Sequence, residues 1–234
     1  MNKIGIIGSG AIGEAIARLA VAAGLSTTMA NSRGPASLDN LIRDIGPRAH
    51  AGTVQEAAAA EIVVLAVPLT AYPSLPTDAL RDTIVLSTGN YYPSRDGRIP
   101  VLDSLQATTA QYEQSLLPGA RVVKAFNNIV AHHIPLLAHS APRTALPIFG
   151  DEPAAKDEAI TLIHSLGFDT VDGGELPASW RAEPESGAYT ETYAADHGGF
   201  AADYLADRGR PVPTAELEEI LASAHRPDVA ARRV

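Results

Sequence analysis

The chain of 234 residues contains no cysteine. That excludes disulfide scaffolds, cysteine-ligated zinc, iron–sulfur clusters and thiol catalysis. Positive charge is also scarce, with 18 basic residues against 27 acidic ones and a net charge of -9. A general nucleic-acid binder needs a basic footprint, so no nucleic-acid partner is expected. Lysine occurs only as Lys3, Lys124 and Lys156 while arginine is frequent, the pattern of a GC-rich genome. No apolar run reaches the roughly 18 residues that span a bilayer, so no membrane partner is expected. Nothing resembling a signal peptide precedes the first apolar run, and the expectation is a soluble, cytoplasmic protein. The histidines at 50, 132, 133, 139, 164, 197 and 225 lack a metal-ligand spacing, so no metal site is expected. The adjacent His132 and His133 point about 100° apart on a helix and read as surface or capping residues. No G-x-S-x-G turn supports serine hydrolysis.

What is present is a globular composition: 46% hydrophobic, 19% charged, mean hydropathy +0.02. Short apolar runs alternate with helix-patterned stretches. Strands are expected at 3–7, 25–30, 50–51, 61–67, 83–87, 121–126, 145–149 and 168–171. Helices are expected at 11–23, 35–45, 54–60, 103–116 and 152–166. The run Ile62-Val63-Val64-Leu65 suits a strand buried on both faces of a parallel sheet. This order predicts an α/β fold, a Rossmann-type doubly wound, mainly parallel sheet. After Gly173-Gly174 the pattern changes. Residues 1–173 read as the dinucleotide-binding domain and 174–234 as a small helical lobe, contributing to an acceptor pocket or a homodimer contact. In the lobe, helix is expected from Glu191 onward and at 214–224 with Thr214 as N-cap, and 226–234 is expected to fray.

The most informative segment is Gly8-Ser9-Gly10-Ala11-Ile12-Gly13. It fits G-x-G-x-x-G, follows a buried strand and opens a helix, the context a dinucleotide fingerprint requires. Gly8 permits the tight turn, Gly10 a close approach of backbone to pyrophosphate, and Gly13 close packing of helix on strand. The helix N-terminus offers N–H groups and partial positive charge to phosphates. An NAD site usually carries an acid after the second strand. Here Asn31-Ser32-Arg33 stands in that place. Arg33 can pair with a 2′-phosphate, and Asn31 and Ser32 can donate hydrogen bonds, so NADP(H) is preferred.

Ligands of such sheets sit beyond the carboxyl ends of strands. Ala66-Val67-Pro68 ends the fourth strand, and Val67 and Pro68 can flank a nicotinamide ring. Asn90, Ala125 and Asn127 follow the fifth and sixth strands. Each asparagine is either a ligand for the carboxamide or substrate, or a piece of local turn chemistry. Lys124 is either functional or an edge residue reaching solvent, with the edge reading favoured.

Together, Gly8–Gly13, Asn31-Ser32-Arg33-Gly34-Pro35, Ala66-Val67-Pro68, Asn90-Tyr91-Tyr92-Pro93 with Arg95-Asp96-Gly97, and Val123-Lys124-Ala125-Phe126-Asn127 resemble the coenzyme F-420-dependent NADP oxidoreductase family. Phe149-Gly150-Asp151, Gly167-Phe168 and Ser179-Trp180-Arg181 resemble its bacterial branch. The resemblance covers about residues 1–184. It implies NADP(H) lying along the strand ends, its nicotinamide facing a second redox partner: deazaflavin F-420 in archaeal members, flavin in related domains of membrane ferric reductases. Hydride then passes directly between rings, and no protein acid or base is strictly needed. No catalytic residue is therefore assigned. The segment 185–207 departs from the family. It either remodels the acceptor pocket for a small organic acceptor, or forms a divergent lobe or dimer contact. The expected function is hydride transfer between NADPH and a redox partner. The alternatives are a non-catalytic NADP(H) sensor and a Rossmann enzyme of non-redox chemistry.

Overall fold

The computed structural model describes residues 2–196, 200 and 203–232. Among these, the strands are β1 (Lys3–Ile7), β2 (Ser26–Ala30), β3 (Ala49–Ala51), β4 (Ile62–Leu65), β5 (Ile84–Ser87), β6 (Arg121–Lys124), β7 (Ala145–Gly150) and β8 (Asp169–Asp172). They form one sheet in the order β3-β2-β1-β4-β5-β6-β7-β8. All pairings are parallel except β6 with β7, which is antiparallel. The fold is the expected Rossmann-type α/β sheet. Its order reverses direction at β1, which lies between β2 and β4.

The side chains of β4 show why the sheet is covered on both sides. Ile62 and Val64 enter one apolar cluster, and Val63 and Leu65 enter the other. Successive residues of a strand point to opposite faces, so a run of four apolar residues needs a layer above and below. The first layer holds α1 (Ala11–Ala22) and the later helix Pro153–Ser165, through Ile16, Ala20, Leu162 and Ile163. The second holds the helices Val54–Ala58 and Thr109–Leu116, through Ala57, Ala58 and Ala110. Residues beyond 173 pack against β7 and β8. Tyr193 donates its hydroxyl to Ala145 O at 2.9 Å, and Val212, Leu217 and Leu221 join the first cluster.

Several local expectations need correction. Residues 35–38 form a 3-10 turn and the α-helix starts at Asp39. The helix expected at 103–116 is two pieces, Pro100–Asp103 and Thr109–Leu116. Leu105 has φ +60° between them, and Thr108 starts the second with a capping box to Gln111. Such caps contribute about 1 kcal/mol. Pro213, not Thr214, is the N-cap of Thr214–Ser223. Among the described residues, the helix expected from Glu191 is instead two separate 3-10 turns, Thr190–Tyr193 and Tyr204–Ala206, with extended Ala194 after the first. The tail up to residue 232 does not fray. Arg232 is buried and donates to Tyr91 O and Pro184 O, both at 2.8 Å, and to Glu185 at 3.0 Å. A guanidinium with that many acceptors holds its segment down. His197, Gly198, Gly199 and residues 233–234 lie outside the described residues.

Lys124 is the largest correction. Its side chain is 0% exposed and its Nζ lies 2.8 Å from Glu113, also 0% exposed. Glu113 further accepts from Ser87 Oγ at 2.7 Å and Tyr72 Oη at 3.0 Å. Burial and the Glu113 carboxylate push the Tyr72 phenol up, so it stays protonated and donates. The edge reading failed because β7 pairs antiparallel beyond β6 and covers it. Removing one partner of a buried ion pair strands the other charge in low dielectric. Lys124→Met should therefore lose about 3–5 kcal/mol of stability in urea unfolding. Lys124→Met combined with Glu113→Leu should lose less than the single change.

Candidate active site

The glycine turn is set by contact distances. Gly8 has φ +118°, and a Cβ there would stand 2.2 Å from Ala66 O. A Cβ on Gly13 would stand 2.1 Å from Gly8 O. These two glycines let the turn sit between the end of β4 and the start of α1. Gly10 differs: a Cβ there would meet no atom within 4 Å. It is the N-cap of α1 and makes no side-chain capping bond. The uncapped helix start therefore offers its N–H groups to whatever lies in front of it.

Beyond the ends of β1, β4, β5 and β6 lies a cleft of about 670 Å³. Of the residues named from sequence, Gly10, Ala11, Ile12, Ala66, Val67, Pro68, Asn90 and Asn127 line it. Ala125 does not; it is 0% exposed inside the core. Gly8 and Ser9 lie in the turn before α1 and Gly13 in its first turn, outside the cleft lining.

At the end of β2, Asn31 holds its own loop. Its Nδ2 donates to Ser9 Oγ at 3.0 Å, and its Oδ1 accepts from Arg33 N at 2.9 Å and Ser37 Oγ at 3.1 Å. Asn31 is thus a bracket for the turn, while Ser32 and Arg33 are exposed beside it. Among the described residues nothing pairs with the Arg33 guanidinium.

The asparagines at the next strand ends hold local structure, one of the two roles that were left open. Asn90 Nδ2 donates to Asn127 O at 2.7 Å, and Asn127 Nδ2 donates to Asn90 Oδ1 at 3.2 Å and Ala182 O at 2.8 Å. These bonds clamp two strand-end loops and the 182 segment together. Yet Asn127 Oδ1 is buried without a hydrogen-bond partner. An unpaired acceptor at a cleft wall is costly unless a ligand or water donates to it. Below it, a Cβ on Gly89 would stand 2.0 Å from Glu113 Oε1, so the buried Lys124 network abuts the cleft floor.

Sequence reasoning offered the segment 185–207 as one source of an acceptor wall but gave none of the remaining lining residues a site role. Tyr92, Arg95, His132, Tyr189, Tyr204 and Leu205 line the opposite wall. Tyr92 and Tyr189 are hydrogen-bonded through their hydroxyls. Arg95 lies 4.9 Å over the Tyr92 ring and donates to Asn90 O at 2.6 Å. Tyr92 lay inside a motif quoted above, but Tyr189 lay 97 residues away in the divergent segment, and no spacing links the two.

The two histidines also depart from the surface reading. His133 is fully buried, with Nε2 at 2.9 Å from Asp207 Oδ1, and its ring lies 4.3 Å from that of His132. Burial, then the neighbouring His132, push its pKa down. Burial works to raise the Asp207 carboxyl, but the N–H groups of Gly209 and Ala195, with His133, hold it below its usual value.

With the site described, its relatives can be compared. Residues 3–91 match the family model described as NADP oxidoreductase coenzyme F420-dependent. The hypothetical protein SMa0349 from Sinorhizobium meliloti is 32% identical, with a TM-score of 0.71, over 79% of this chain and 91% of that one. The chain belongs to the F420-dependent NADP oxidoreductase family. That family is described as one of NADP oxidoreductases. A proposed F420-dependent NADP-reductase from Arthrobacter sp. FB24 shares the fold, at 24% identity and a TM-score of 0.65, over 76% of this chain and 87% of that one. Metalloreductase STEAP3 of Rattus norvegicus is 31% identical over 185 residues, 77% of this chain and 36% of that protein. The chain thus spans less than half the length of the curated relatives it matches. Among the described residues no helix is long and apolar enough to cross a membrane.

A pH dependence follows from the buried histidine. Its folded pKa is depressed, so the unfolded chain takes up the proton first, and stability falls as pH drops through the histidine range. The melting midpoint should decline between about pH 8 and pH 5.5, and His133→Gln should flatten that decline.

Proposed function

We propose that this family member is an NADPH-dependent reductase that hands hydride to a small redox partner in the cleft. One observation carries the reading: the uncapped start of α1, the unpaired Asn127 Oδ1 and the exposed Arg33 all belong to one sheet edge. In this reading the N–H groups of Gly10, Ala11 and Ile12 hold the pyrophosphate, with Gly8, Ser9 and Gly13 shaping the turn. Ser32 and Arg33 hold the 2′-phosphate, with Asn31 fixing their loop. Ala66, Val67 and Pro68 border the nicotinamide, and Asn90 and Asn127 face its carboxamide. Ala125 supports the floor from below. When bound, NADPH supplies a hydride. The protein's work is to orient the ring and the acceptor and to keep water out.

The acceptor is the finer question. The family's printed description points to coenzyme F-420, and STEAP3 is a metalloreductase. Both support a redox partner facing the nicotinamide rather than a substrate bound through metal or thiol chemistry in this chain. A flavin is a third partner of that kind.

The choice of cofactor is directly testable. A charge-assisted phosphate contact contributes about 1.5–3 kcal/mol. Arg33→Ala should therefore raise the NADPH dissociation constant about ten- to a hundredfold in calorimetry while barely changing NADH. Equal losses for both dinucleotides would remove the 2′-phosphate role. Steady NADPH oxidation with coenzyme F-420, FMN or an organic acceptor would exclude a sensor that binds without turnover.

A further inference from the structure

The Tyr92–Tyr189 pair holds one proton more than the protein can use. A tyrosine hydroxyl has one O–H to donate and lone pairs to accept with. Two hydroxyls carry two protons, and their mutual hydrogen bond uses one. Asn90 Nδ2 also donates to Tyr189 Oη, at 3.4 Å, which fills an acceptor position and takes no proton. Among the described residues neither hydroxyl has a further acceptor. If Tyr92 donates to Tyr189, the Tyr189 proton is left over; if Tyr189 donates, the Tyr92 proton is. Both rings line the cleft, so the remaining O–H is available to what binds there.

We propose that this hydroxyl pair is the proton donor for an acceptor with a polarised carbon–oxygen or carbon–nitrogen double bond. The proposal rests on the NADPH-reductase reading and extends it to the acceptor's chemical class. The balance is simple. Carbon gains a hydride from NADPH, the π pair moves onto oxygen or nitrogen, and that atom takes the tyrosine proton. The phenolate regains a proton from water at the cleft mouth. The products are an alcohol or amine and NADP+. An alkoxide or amide anion is too basic to leave unprotonated, whereas a reduced deazaflavin or flavin can leave as an anion. A positioned donor beside the asparagine pair therefore suits the first kind of acceptor.

The surroundings agree. Arg95 sits over the Tyr92 ring, its guanidinium also bound to Asp96 at 2.8 Å, and fixes that ring at the cleft. Burial, and the neighbouring Tyr92, push the Tyr189 phenol up, which favours Tyr189 keeping its proton in the mutual bond and leaves the Tyr92 O–H as the one that faces the acceptor. Tyr189 comes from the divergent segment, so the pair exists only where that segment folds back on the Tyr92 loop.

The test uses two probes, 4-nitrobenzaldehyde and the cyclic imine 1-pyrroline, with the wild type, both single Tyr→Phe variants and Tyr92→Phe/Tyr189→Phe. General-acid donors contribute about 10²–10⁴-fold, so the double variant should lose at least about fifty-fold in kcat/KM on the probes. Either single variant keeps one hydroxyl and one proton and should lose less. A second readout needs no turnover. In the complex with NADP+, the infrared carbonyl stretch of bound nitrobenzaldehyde should move to lower frequency in the wild type but not in the double variant. NADP+ affinity and the melting midpoint, measured in parallel, report on folding. NADP+ binding without the frequency shift overturns this proposal alone. So does reduction of FMN or coenzyme F-420 with neither probe reduced. Failure to bind NADPH or NADP+ at all overturns the reductase reading itself.

Discussion

Everything at the sheet edge depends on how closely three backbone segments approach one another. β1 is paired on both sides, to β2 and to β4, so the chain leaving it can only turn over the sheet end. There it runs into the end of β4, where Gly8 lies against Ala66, and into its own continuation, where Gly13 lies against Gly8. A methyl group at either position would force the turn outward. The start of α1 would then no longer face the cleft, and the partial positive charge of the helix end would point elsewhere. Two missing side chains thus decide where an anion can bind on a protein whose net charge is -9.

That constraint also explains which parts of the fold were legible. The apolar runs of β1, β4 and β5 and the glycine spacing are local signals, and each depends on neighbours a few residues away. They fix the parallel block and one wall of the cleft. Lys124 was misread because its partner Glu113 lies on a helix across a turn, and nothing in a four-residue strand announces a buried carboxylate. His133 was misread for the same reason, since Asp207 is far along the chain. The second wall was legible only as a segment that departs from its family, not as particular side chains. Tyr189 meets Tyr92 where the asparagines after β6, together with Arg232 on Pro184 O, tie down the segment that carries it.

Those asparagines link the two halves of the site. Asn127 binds Ala182 O, and Asn128 binds Ala188 O at 2.9 Å and Tyr193 Oη at 3.0 Å. Phe126, at φ +59°, turns the chain so that both amides reach across. The family's strand-end motif therefore has a structural duty, holding the divergent segment, alongside the acceptor atom that Asn127 still leaves unpaired. The same few side chains thus join the strand-end wall of the cleft to the segment that carries Tyr189.

The central claim is that the sheet edge from Gly10 to Asn127 is one dinucleotide site, and amide NMR tests it most directly. Titrating NADP+ into 15N-labelled protein should shift the backbone signals of Gly10, Ala11, Ile12, Ser32, Arg33 and Val67 together, with one dissociation constant, along with the side-chain amide of Asn127. Shifts confined to other residues, or no shifts at saturating NADP+, would contradict it.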